Sequence, residues 1–114
     1  MTEPPIFDRA AAVARLGGSV ALLHEIAKAF VEECPRLMAD VRAAVARQDA
    51  KSLADAAHAL KGTVAYFSAA GPCETLEVLE RAARKGDLSS SVVLLGVLEG
   101  QVEGLTAAIA AGTS

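Results

Sequence analysis

Apolar residues return every three or four positions along this chain, and polar ones fill the intervals. That is helical spacing, and no stretch alternates apolar and polar residues for long enough to predict a strand. The pattern breaks where glycine, proline or turn-forming pairs cluster: Pro4-Pro5, Gly17-Gly18, Gln48-Asp49, Gly71-Pro72 and Gly86-Asp87. Five helices are predicted between the breaks, at 7–16, 20–47, 50–69, 72–85 and 90–111.

The boundaries have local causes. Asp8 and Ser19 suit the N-cap position, where a side-chain oxygen accepts from a free backbone N–H. Gly17 and Gly86 suit helix stops, and Arg84-Lys85 puts cations at the negative end of a helix dipole. In the second segment the apolar row Leu23, Ile26, Phe30, Cys34, Leu37, Val41, Ala44 keeps its phase across Pro35. The row therefore predicts one long kinked helix, with two helices meeting at Pro35 as the alternative. The third row is Leu53, Ala57, Leu60, Val64, Phe67; the fourth is Cys73, Leu76, Leu79, Ala83; the fifth is Leu95, Leu98, Val102, Leu105, Ile109. Four amphipathic helices with short connections bury their stripes together as an antiparallel up-down four-helix bundle. The short first helix is expected to cover one end, and the 114 residues form one all-α domain.

Composition narrows the function. The chain is 53% hydrophobic and 4% aromatic with 25 alanines, and its net charge is −3. An acidic balance argues against a nucleic-acid module. Cys34 and Cys73 are too few and too far apart for a disulfide framework or a CxxC metal site, and they fall on apolar rows. No apolar run is expected to reach membrane-spanning length, and the first residues do not resemble a signal peptide, so a cytoplasmic monomer is expected. His24-Glu25 begins like a zinc motif but position 28 is lysine, and Lys61-Gly62-Thr63 lacks the glycines and strand of a P-loop.

The third helix has an outer face that plain solvation does not explain. With Leu60 at the centre of the buried side, His58 falls about 160° away at about 100° per residue. Ala54, Gly62, Ala65 and Ala69 fall on the same outer side, with only Asp55 and Lys61 adding charge. A solvated face normally carries long polar side chains, and a mid-helix glycine costs about 1 kcal/mol against alanine. This face instead offers an imidazole, a cation one turn on, and a gap at i+4. Free imidazole titrates near about 6.5, so at neutral pH it is largely unprotonated and nucleophilic. Lys61 is placed to balance the charge of an incoming phosphoryl group, and Gly62 to leave room for a protein donor.

At these residues the chain resembles the histidine-containing phosphotransfer (HPt) domains of phosphorelays. Ala57-His58-Ala59-Leu60-Lys61-Gly62-Thr63 matches their Ala-His-x-Leu-Lys-Gly-Ser/Thr signature throughout. Phe7-Asp8, Leu16-Gly17-Gly18, the Phe30–Pro35 stretch, Leu79-Glu80 and Ala82–Asp87 resemble other parts of the family; Ser68 departs from it, standing where glycine is frequent. The resemblance implies a phosphoryl group on Nε2 of His58, stabilised by Lys61 and reached past Gly62. It also implies that Glu80 faces the histidine, with plain solvation as the alternative, and that the partners are response-regulator receiver domains and a hybrid histidine kinase. Mg²⁺ then belongs to the receiver domain, and this chain holds no cofactor and has no kinase activity of its own. Ala54, Asp55, Ala65, Ala69, Glu80 and Arg84 are the expected partner-binding positions, with Arg81 and Lys85 nearby. Two other readings stand beside this one: a helical module that binds a receiver domain without being phosphorylated, and the phosphoacceptor domain of a larger hybrid or chemotaxis kinase.

Overall fold

A computed structural model describes residues 7–67 and 69–113, with side chains through residue 111. The Pro4-Pro5 break and the Ser68 departure lie outside the described residues. Five α-helices appear in order: α1 (Arg9–Arg15), α2 (Val20–Arg47), α3 (Ala50–Val64), α4 (Ala70–Arg84) and α5 (Ser91–Thr113), with a 3-10 turn at Ala65–Phe67. No strand occurs among the described residues.

The caps are those the side chains favour. Asp8 accepts from the Ala11 N–H, Ser19 from Leu22 and Asp49 from Ser52. Gly17 and Gly18 take positive φ at the corner between α1 and α2, a backbone region that only glycine enters without steric cost. Pro35 sits inside α2, which remains a single helix from Val20 to Arg47.

α3 packs on α2 and α4, and α5 closes the ring against α4 and α2. α3 and α5 thus stand at opposite corners of a four-helix bundle. Leu23, Phe30, Val41, Leu53, Leu60, Val64, Leu76, Leu79, Leu98 and Leu105 fill its centre. Ile26 and Leu37, expected in the core, are only half-buried, while Ala27 and Met38 are buried. Phe67 joins α1 to the bundle: its ring meets Phe7 at 5.7 Å and Phe30 at 5.1 Å, both edge-on, and its carbonyl accepts from the Asp8 N–H.

One expectation needs correction. Ser91–Ala111 of α5 is long and apolar enough to cross a membrane by length and composition. Scattered glycines and two glutamates hid this from a search for an unbroken apolar run. Along it Leu98, Val102, Leu105 and Ile109 are buried inside the protein, while most of the stretch lies outside the core, with Val92, Val93 and Val97 exposed. Glu99 pairs with Arg42 of α2 at 3.2 Å.

Candidate functional site

His58 projects from α3 with its side chain 66% exposed. Two turns of helix separate it from the Asp49 cap, so its direction is set by a well-anchored element. Across the seam, α4 presents Glu80, whose own side chain is almost sealed from water at 11% exposure. Glu80 Oε2 lies 3.1 Å from His58 Nδ1, and Oε1 lies 3.3 Å from the same nitrogen. A carboxylate only accepts, so Nδ1 is the protonated nitrogen and donates. Nε2 keeps its lone pair and has no bonding partner among the described residues.

Glu80 is the hub of the site. Lys61 Nζ approaches Oε1 at 2.9 Å, and Arg84, one turn further along α4, donates from Nη2 at 2.7 Å and Nε at 3.0 Å to Oε2. Burial alone pushes the carboxyl up, but donation from Arg84, Lys61 and His58 outweighs it and holds Glu80 down to about 2. A buried carboxylate with this many donors remains ionised and fixed in place.

Gly62 lies one turn beyond His58, and a Cβ built there meets nothing within 4 Å. The chain's own packing therefore does not require the glycine. Beside it a hollow of 220 Å³ is lined by Arg15, Leu16, Gly62, Ala65 and Tyr66. Arg15 closes one side, donating from Nη1 to the Ala65 carbonyl at 2.6 Å.

The expected partner-binding residues divide. Asp55 is exposed and pairs with Lys51 at 3.2 Å, and Ala65 is half-buried at the hollow. Glu80 faces the histidine. Arg84 is spent on Glu80 rather than left free. Ala54 and Ala69 are buried, contrary to expectation. α3 packs against two neighbouring helices, which widens its buried arc past the apolar row and takes in Ala54. Ala69 lies beyond the end of α3; the 3-10 turn breaks the helical phase and leaves it as the cap residue of α4. Arg15, Leu16 and Tyr66 were missed. The one tyrosine of the chain, exposed next to the core residue Phe67, was the available signal.

A second groove, 540 Å³ in volume, runs between α2 and α5 and is lined by neither histidine. No group of three or more His, Cys, Asp or Glu among the described residues is arranged to hold a metal ion.

The family model of the Hpt domain matches residues 25–109. The chain belongs to the Hpt domain family. Its general role is therefore histidine phosphotransfer in phosphorelays, where such domains act as phosphocarriers. The fold of this Hpt domain is similar to the crystal structure of histidine-containing phosphotransfer protein B (HptB) from Pseudomonas aeruginosa PAO1, at a TM-score of 0.88 and 20% sequence identity. That match covers 97% of this chain and 96% of the other. No curated protein matches the sequence.

Proposed function

We propose that this Hpt domain carries a phosphoryl group on Nε2 of His58 between the aspartates of receiver domains. The observation that carries the reading is an exposed imidazole whose Nδ1 is held by a buried, ionised Glu80. With the proton fixed on Nδ1, the Nε2 lone pair attacks phosphorus of a receiver aspartyl phosphate. An N–P bond forms, the acyl P–O bond breaks, and the aspartate carboxylate leaves with its electron pair. The ring becomes a phosphoimidazolium, and Glu80 lies against its Nδ1–H to offset the new positive charge. Return transfer to a second aspartate reverses these steps.

Lys61 remains within reach of both Glu80 and the phosphoryl side, and its ammonium has donors to spare beyond the one used on Glu80. Mg²⁺, held by the receiver domain and not by this chain, would supply charge neutralisation at the phosphoryl oxygens. Gly62 and the hollow formed with Ala65, Tyr66, Leu16 and Arg15 give the receiver domain room to dock. Hybrid histidine kinases and their receiver domains are the partners.

Incubation with a phosphorylated receiver domain is expected to label this protein with an acid-labile, alkali-stable phosphoryl group. His58→Gln is expected to abolish labelling and leave the helical circular dichroism unchanged. Labelling that survives this substitution overturns the assignment.

A further inference from the structure

The hollow beside Gly62 is bordered by a tyrosine and an arginine, two of the residue types that most often anchor protein interfaces. Tyr66 is 53% exposed, whereas Phe7, Phe30 and Phe67 are buried. It stands in the 3-10 turn, directly before the sealed ring of Phe67, so its backbone is held in place. Arg15 closes α1 and is exposed, and its bond from Nη1 to the Ala65 carbonyl at 2.6 Å seats the guanidinium at the rim. That bond uses one of its five N–H groups, and the others have no partner among the described residues. Anchors already held in place lose little freedom when a partner arrives.

The lining defines what fits. Leu16, Gly62 and Ala65 make an apolar floor, and Arg15 is the one charged residue of the lining, on a chain whose net charge is −3. The volume of 220 Å³ exceeds the roughly 150 Å³ that accommodates a benzene-sized group. One aliphatic or aromatic side chain therefore fills the hollow, with Tyr66 along its flank. A carboxylate beside that side chain meets the unused donors of Arg15. A basic neighbour in the same place meets a like charge and is rejected.

We propose that Arg15 and Tyr66 determine which receiver domain is accepted, by taking one apolar side chain of that domain into the hollow and an adjacent carboxylate onto the Arg15 guanidinium. The inference rests on the phosphotransfer reading of His58 and adds to it the chemistry of the partner's contact surface. Gly62 lines the hollow and stands one turn from His58, so a domain seated there lies against the imidazole. α1 then does more than cover one end of the bundle, because it supplies the arginine that selects the partner.

Transfer kinetics on the full chain, with the phosphorylated receiver domain that labels the wild type fastest, test this. At limiting receiver, Arg15→Glu and Tyr66→Ala are each expected to lower the second-order rate constant about tenfold, and Arg15→Lys by less. The wild-type constant is expected to fall with added salt, and that of Arg15→Gln to fall less steeply. The rate at saturating receiver is expected to stay level in all of them, because neither side chain is asked to touch the phosphoryl group. Second-order constants that match the wild type in Arg15→Glu and Tyr66→Ala overturn the proposal while His58 is still labelled. So does a loss confined to the saturated rate, or one that tracks lowered stability in urea, since either assigns Arg15 to propping the end of α3. A wild type that no receiver labels overturns the phosphotransfer reading, and this inference with it.

Discussion

Glu80 touches His58 at Nδ1, 3.1 Å away, while being itself almost sealed beneath the surface that exposes the imidazole. The pairing joins a buried carboxylate on α4, ionised at neutral pH, to an exposed imidazole on α3. It holds the proton on Nδ1 and leaves Nε2 its lone pair, because the proton stays on the side of the carboxylate. Nothing else within the described residues competes for that role.

Removing the carboxylate therefore tests the tautomer. Glu80→Gln keeps an acceptor but loses the charge that offsets a positive ring. Transfer from a phosphorylated receiver is expected to slow by about tenfold in Glu80→Gln and by more in Glu80→Ala. Rapid-quench kinetics measure the rate, and ¹⁵N chemical shifts of the His58 ring report the loss of the Nδ1–H form. Unchanged shifts in Glu80→Ala would show that the carboxylate does not set the tautomer.

The depressed Glu80 pKa also makes stability depend on pH with a definite sign. The carboxyl ordinarily titrates at 4.5 and here sits at about 2, so the folded state favours the ionised form. The contribution is complete above about 4.5, shrinks as the pH falls below that value, and is gone once the pH passes about 2. Its ceiling is about 3 kcal/mol, reduced by water around the half-exposed Arg84 and His58. Urea unfolding of the wild type and Glu80→Gln at several pH values is expected to show a gap at neutral pH that narrows toward pH 2. A gap independent of pH would assign the effect to packing.

Gly62→Leu separates access from folding. The Cβ has open space around it and the helix gains propensity, so stability is expected to stay level or rise by up to about 1 kcal/mol. Transfer is expected to slow because the added side chain occupies the receiver's approach beside His58. Stopped-flow transfer and thermal unfolding on the same variant check both halves. Equal transfer rates would remove the steric account.

Pro35 lies within α2, denying the helix one backbone hydrogen bond. Pro35→Ala is expected to raise stability by about 1 kcal/mol or more without moving the site, which lies on α3 and α4. Equilibrium unfolding in urea measures the gain. A loss would mean that the proline's contacts along α2 outweigh the missing bond.

Phe67→Ala tests the seat of α1. The ring is fully buried between Phe7 and Phe30, and truncation of such a residue costs about 3–5 kcal/mol. Chemical denaturation is expected to show that loss, with increased amide exchange in α1.

Periodicity made the bundle legible in advance, since a repeat of three to four apolar residues can bury its stripe in few ways. The exposure of His58 was legible too, because it lies opposite Leu60 on a regular helix and its neighbours are small. Local caps at Asp8 and Ser19 were equally readable, their partners being three residues away. Other features depended on distances between helices, on which one chain's spacing is silent. The burial of Ala54 follows from how closely α4 approaches α3. Ala69 turned inward because a 3-10 turn ended the helical phase at Val64.

The sequence by itself determined the helices, their buried stripes and the exposed histidine, because each is fixed by interactions within a few residues along the chain. Only the tertiary structure decided that Glu80 stands on Nδ1 of His58, that Arg84 and Lys61 are gathered on that same carboxylate, and that Tyr66 and Arg15 flank Gly62. These contacts join residues far apart in sequence, and the packing of one helix on another sets them to within fractions of an ångström.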